Sequence, residues 1–229
     1  MSAPRDATAF EVREALRHPG CPVCRLSLRS VGRWLKAVAY EQVNDIQLRA
    51  ELRATRGFCN AHAHQWLREA HSVLGTAIIY RDVLNAALRE LDSEPPAGSR
   101  LRKLLGGDDG DGRERRGACP ACRTQQAAES RYLDALLALL GAEPGVLDHR
   151  ADGVCRRHAR AALRRGGPAA ERVLEQTRRA VERLIGDLDE VIRKEDYRFR
   201  DEPRTADERA APGRAVAWAA AVDGLVEGS

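Results

Sequence analysis

Apolar residues recur at three- and four-residue steps along most of the chain, and strict alternation is nearly absent, so the pattern predicts an all-α protein. From Val23 to Val43, Leu26, Trp34, Leu35, Val38 and Ala39 fall near one face of a helix. Asn44-Asp45 interrupts it, with Asp45 placed to cap a short helix from Ile46 to Arg56 and Gly57 placed to end that helix in the left-handed conformation. From Asn60 a single long helix is predicted to about Leu91, with Leu67, Ala70, Leu74, Ala77, Leu84, Leu88 and Leu91 on its core face and Arg81 interrupting them. A similar plan follows: a helix from about Ala121 to Leu140, a Gly/Pro loop, a helical stretch opened by His158, and a break at Gly166-Gly167-Pro168. A long helix then runs from Ala169 to about Tyr197, with Val181, Leu184, Leu188 and Val191 in step. These stripes are read as seams of an intramolecular core; a coiled-coil dimer is the alternative, but each stripe covers few heptads.

The two halves are related. An offset of 98 carries Cys21 and Cys24 to Cys119 and Cys122, Arg25 to Arg123, and Arg33-Trp34-Leu35 to Arg131-Tyr132-Leu133. An offset of 96 then carries Gly57 to Gly153, Cys59 and His62 to Cys155 and His158, and Leu67 to Leu163. A duplicated unit is the simplest explanation. The expected organisation is a first helical unit over 1–92, a flexible linker over 93–117, a second unit over 118–199, and a weakly structured tail over 200–229. Within that tail, Arg214 to Val222 could form a short helix. The linker contains Glu94-Pro95-Pro96 and Gly106-Gly107-Asp108-Asp109-Gly110, too poor in apolar residues to build a core; Leu101 to Leu105 could make a transient turn.

The chemistry of the repeats lies in their cysteines. All six belong to two copies of one pattern: Cys21-Pro22-Val23-Cys24 with Cys59-Asn60-Ala61-His62, and Cys119-Pro120-Ala121-Cys122 with Cys155-Arg156-Arg157-His158. Three thiols and an imidazole in two close-spaced pairs make a four-ligand set for a thiolate-preferring metal, above all zinc. Each copy is expected to hold one Zn2+, two in all, clamping two helix starts across more than thirty residues. Three thiolates and a neutral imidazole leave a net charge of −1 around a divalent ion, which helix N-termini favour and which Arg25 and Arg123 could offset. Four protein ligands leave no place for water or substrate, so the sites read as structural. A Cys3His iron–sulfur centre is the minor alternative. Buried apolar cysteines and a catalytic dithiol fit the duplicated spacing less well, the latter because the βαβ setting of a thioredoxin-like site is missing.

Other features carry less. His64 aligns with Arg160, which counts against it as a ligand, and His18, His71 and His149 lack partners at metal spacing. Tyr80-Arg81-Asp82 and Glu195-Asp196-Tyr197-Arg198 read as charged helix faces, and Trp34, Phe58 and Trp66 as core near the sites. A net charge of +4, from 38 basic and 34 acidic residues, gives little drive toward nucleic acid. No apolar run approaches the about 20 residues of a membrane span, and the charged start does not resemble a secretory signal, so a cytoplasmic protein is expected. No nucleophile–base pair or phosphate-cradling loop stands out, which leans against an enzyme. The reading is a non-catalytic zinc-binding adaptor or regulatory protein with a protein partner; a thiol/zinc redox sensor is the alternative, and nucleic-acid binding a more distant one.

Gly20-Cys21-Pro22-Val23-Cys24, Tyr40-Glu41-Gln42-Val43-Asn44-Asp45, Arg56-Gly57-Phe58-Cys59-Asn60-Ala61-His62 and Ile78-Ile79-Tyr80-Arg81-Asp82-Val83-Leu84 resemble a family of uncharacterised bacterial proteins, the domain-of-unknown-function family DUF6062. The likeness is close from Phe10 to Leu91 and rests on the ligand pattern beyond. It implies an all-helical protein with paired Cys-rich sites and implies no reaction.

Overall fold

The computed structural model describes residues 3–93, 119–147 and 152–225, and among them it holds nine α-helices and no strand. In chain order they are α1 (Ala3–Leu16), α2 (Pro22–Tyr40), α3 (Ile46–Ala54), α4 (Asn60–Glu69), α5 (Val73–Ser93), α6 (Pro120–Ala142), α7 (Arg156–Arg165), α8 (Gly167–Arg193) and α9 (Ala206–Ala220). A 3-10 turn, Pro144–Leu147, follows α6. Apart from Ser93, which ends α5, the expected linker lies outside the described residues, as does His149.

Local chemistry sets most boundaries. Asp45 caps α3, its carboxylate accepting from the Leu48 amide at 2.7 Å. Gly57 takes φ +93 after that helix. The helix expected from Asn60 to Leu91 is instead two. His71 sits at φ +46, and Ser72 restarts the chain as a cap, its Oγ accepting from the Gly75 amide at 3.0 Å. The break shifts the phase of the apolar face. Ile79 and Val83 are buried, whereas Leu74, Leu84, Leu88 and Leu91, expected in the core, are between 56% and 71% exposed. Leu67, expected there too, lies before the break and is exposed because α4 buries His62, Gln65 and Trp66 instead. Gly75 permits a close approach there: a Cβ would lie 3.1 Å from the Ala39 carbonyl and 2.9 Å from Ser72 Oγ.

Two further elements differ from the sequence expectation. The start of the chain forms α1, whose Val12, Ala15 and Leu16 are buried. The tail is more ordered than expected: α9 opens on a capping box, Thr205 Oγ1 accepting from the Glu208 amide and the Glu208 carboxylate accepting from the Thr205 amide, both at 3.1 Å. Glu208 also accepts from Lys194 Nζ at 2.8 Å, a buried ion pair that ties α9 to the end of α8. Of the residues expected on charged helix faces, Asp82 lies on α5 and pairs with Arg49 and Arg53 of α3. Glu195, Asp196 and Arg198 instead lie in turns beyond the end of α8, where Asp196 pairs with Arg198 and Glu195 with Arg204.

The chain divides into two compact units, but not at the expected linker. One comprises Met1–Arg29 and Ala127–Leu225; the other lies within Ser30–Gln126. Both divisions fall inside a helix. The first turns of α2 give Val23, Cys24 and Leu26 to the first unit's core, with Tyr132, Leu136, Leu140 and Val173, while Val31, Leu35 and Val38 belong to the second, with Leu52, Trp66 and Ile79. In α6 the order is reversed: Ala121 belongs to the second core, and Ala128 through Leu140 to the first.

Candidate metal centres

Each Cys-Pro-x-Cys begins a helix. Pro22 and Pro120 are the first residues of α2 and α6, where a fixed φ and a missing N–H cost nothing. The carbonyls of Cys21 and Cys119 accept from the Arg25 and Arg123 amides, each at 3.2 Å, so the second cysteine of each pair lies one turn into the helix. Cys59 and Cys155 are the N-caps of α4 and α7, with nearly identical backbones (φ −62, ψ 164 and φ −66, ψ 163). Neither thiol caps its own helix, which leaves both sulfurs free to face the histidine three residues on.

All eight predicted ligands come together in two quartets, but the pairing is crossed. Cys21 and Cys24 meet Cys155 and His158, and Cys59 and His62 meet Cys119 and Cys122, the donor atoms of each set lying within 4.8 Å of one another. The expectation that each repeat closes its own site is therefore corrected. Each site takes its Cys-Pro-x-Cys from one repeat and its Cys-x-x-His from the other, and each lies wholly within one compact unit.

The spacing matches a tetrahedral ion. Zinc–sulfur and zinc–nitrogen bonds of about 2.3 and 2.0–2.1 Å imply sulfurs about 3.8 Å apart and sulfur–nitrogen pairs about 3.5 Å apart. In the first quartet Cys24 Sγ lies 3.5 Å from Cys155 Sγ, and His158 Nδ1 lies 3.2–3.4 Å from Cys155, Cys21 and Cys24. In the second, Cys59 Sγ lies 3.7 Å from Cys122 Sγ, and His62 Nδ1 lies 3.2, 3.4 and 3.9 Å from Cys59, Cys122 and Cys119. Nδ1 is the inward atom in both histidines.

The electrostatics also call for a cation. Burial opposes a charged His62, but hydrogen bonds to Cys119 and Cys59 outweigh it and raise its pKa to about 9; at His158 the same contest, against Cys155 and Cys21, gives about 10. Burial opposes the Cys21 thiolate, yet hydrogen bonds from Cys155, Cys24 and His158 hold its thiol well below the usual range, and Cys24 is pushed up by Cys155 and Cys21. Hydrogen bonds from Cys122 and Cys59 lower Cys119, while Cys119 and Cys59 raise Cys122. In each quartet one sulfur, Cys21 or Cys119, is thus held as a thiolate beside a protonated imidazole, and a divalent ion would take the place of that proton and of those on the remaining thiols.

The surroundings of the two quartets differ, and the sequence did not disclose how. At the first, Asp152 accepts from the Gly20 amide at 2.8 Å and from Arg214 Nη2 at 2.9 Å, tying the approach to Cys21 to the segment before Cys155 and to α9. Glu129 pairs with Arg157 at 2.8 Å and faces His158 Nε2 at 4.0 Å. In the first repeat, Arg56 aligns with Asp152 and Val31 with Glu129, so nothing in the duplication foretells either contact. Beside the second quartet Phe58 stacks on Trp66 with ring centres 5.5 Å apart, and Trp34 meets Phe58 edge-on, as core residues near the site. Arg25 and Arg123, expected near the ligands, donate to the Pro19 carbonyl at 3.0 Å and to Glu51.

Fold and sites together define a helical protein with two Cys3His clusters able to hold metal ions. The chain belongs to the family of unknown function DUF6062, whose model matches residues 6–222. It is 28% identical, over 90% of its length and 98% of the relative's, to an uncharacterized 23.9 kDa protein in the xynA 3' region of Caldicellulosiruptor sp. (strain Rt8B.4). No solved structure matches the chain. No helix among the described residues is long and apolar enough to cross a membrane.

Proposed function

We propose that the chain is a zinc protein whose two ions are structural, and that it acts as a non-catalytic adaptor or regulatory protein in the cytoplasm. The observation that carries the reading is the pair of crossed, four-donor quartets, six of whose eight residues are buried. A site with three thiolates, one imidazole and no open position favours zinc and leaves no place for substrate. Structural zinc contributes about 10–16 kcal/mol in small folded peptides, comparable with the about 5–15 kcal/mol net stability of a domain. Crossing adds to that role, because each ion joins stretches more than 130 residues apart or, at the second site, about 60 apart.

A partner-binding role is supported by α5, whose Leu74, Leu84, Leu88 and Leu91 present an apolar face suited to an apolar helix of another protein. The test is metal content by mass spectrometry on untagged protein purified without chelator. Two zinc ions per chain are expected; fewer than one, or iron with sulfide, would overturn the reading.

A further inference from the structure

The two quartets have the same donors and nearly the same distances, and differ in access. All four donors of the first are buried, whereas Cys59 and Cys122 of the second are only partly so. The aligned pair in the first quartet, Cys155 and Cys24, has sulfurs 3.5 Å apart in residues 2% and 0% exposed; Cys59 and Cys122 have sulfurs 3.7 Å apart in residues that are only partly buried. One molecule therefore contains a sealed and an open version of one site.

The cover on the first site is α9. Arg214 holds Asp152, Arg156 Nε donates to the Ala219 carbonyl at 3.2 Å, and Ala217 and Trp218 close a cavity of about 70 Å3 against Cys155. Among the described residues the second unit has no counterpart of α9.

We infer that Cys59 and Cys122 form a peroxide-oxidisable pair, so that a small hydroperoxide converts the second site to a disulfide and releases its ion while the first site persists. This rests on the zinc reading for the ion, though not for the disulfide. One thiolate of the pair attacks a peroxide oxygen; the O–O bond breaks, a sulfenic acid forms, and the departing hydroxide is neutralised to water by a proton from the buffer. The other thiolate attacks that sulfur; the S–S bond forms, the S–O bond breaks, and a second hydroxide is protonated. The peroxide gains the two electrons the thiolates lose. With two of four donors gone, the remaining Cys119 and His62 no longer hold the metal, and the starts of α4 and α6 are no longer joined by it.

The test treats the full chain with hydrogen peroxide in molar excess, follows released zinc with a chromogenic chelator, and maps disulfides by peptide mass spectrometry. Release of one ion of two, with a Cys59–Cys122 bridge and with Cys24 and Cys155 still reduced, is the expected result. Trp218→Ala, which opens the cover beside Cys155, should add release of the second ion. A Cys24–Cys155 or Cys119–Cys122 bridge in the unsubstituted chain, joint release of both ions, or no bridge at all would overturn the inference. Zinc counted before peroxide separates the readings: a chain with fewer than one zinc ion contradicts the structural-zinc proposal, while the disulfide map judges the pair with or without metal.

Discussion

Gly153 and Gly57 occupy matching places in the repeats, yet the structure gives them different reasons to be glycine, and substitution should separate those reasons. A Cβ on Gly153 would lie 2.6 Å from both Thr177 Cα and Thr177 Oγ1, on the middle of α8. Ordinary contact begins near 3.4 Å, so the 152–155 segment must retreat by almost 1 Å. Overpacking of that kind costs about 1–3 kcal/mol, and losing the hydrogen bond from the Val154 amide to Thr177 Oγ1 (3.3 Å) adds about 1 kcal/mol. Gly153→Ala should therefore cost about 2–4 kcal/mol, a large part of a domain's stability. At Gly57 a Cβ would meet its nearest neighbour at 3.7 Å, so Gly57→Ala carries only the strain of φ +93, about 1–2 kcal/mol. Urea unfolding of the zinc-loaded protein measures both costs, and hydrogen exchange locates them. Gly153→Ala should weaken protection in α7 and α8 and leave α3 to α5 unchanged. A smaller cost for Gly153→Ala than for Gly57→Ala, or loss of protection in α3 to α5, would mean that the Gly153–Thr177 contact does not set the cost.

Lys194 holds the Glu208 carboxyl below the usual range, so that pair supports folding above ordinary glutamate pH and its contribution is lost as pH falls through the depressed value. Acid unfolding followed by circular dichroism should begin at higher pH in Lys194→Met than in the unsubstituted chain, with the stability deficit largest at neutral pH. Ser72→Ala removes the cap of α5 and should cost about 1 kcal/mol in urea unfolding, with exchange increasing near Val73 to Thr76. Leu84→Glu and Leu88→Glu, on the exposed face of α5, should each change stability by less than about 0.5 kcal/mol, whereas Ile79→Ala on its buried face should cost about 2–5 kcal/mol.

Much of this protein is legible in its sequence, for identifiable reasons. Cys-x-x-Cys and Cys-x-x-His are local patterns, so the residues of each pair can be chosen from spacing alone, and Asp45 and the Gly166-Gly167-Pro168 break are local signals of the same kind. Which pair meets which is not local. Spacing permits either partner, and the crossed choice depends on helices that serve two cores, which their length allows: α2 has 19 residues and α6 has 23, about 29 and 35 Å at 1.5 Å per residue. Each is long enough for its first turn and its later turns to belong to different cores. The α5 face escapes a reading of the pattern because a leucine ladder continues in sequence through His71-Ser72, where the backbone turns and resets the phase. The order of α9 is readable in Thr205-Ala206-Asp207-Glu208, a capping box that outweighs the polar composition around it.

Zinc stoichiometry in two double variants tests the crossed pairing most directly. Cys24→Ser with Cys155→Ser removes two donors from one quartet, and Cys24→Ser with Cys59→Ser removes one donor from each. Crossed pairing predicts one tightly held ion per chain in the first double variant and none in the second. The opposite order, none in the first and one in the second, would show that each repeat closes its own site.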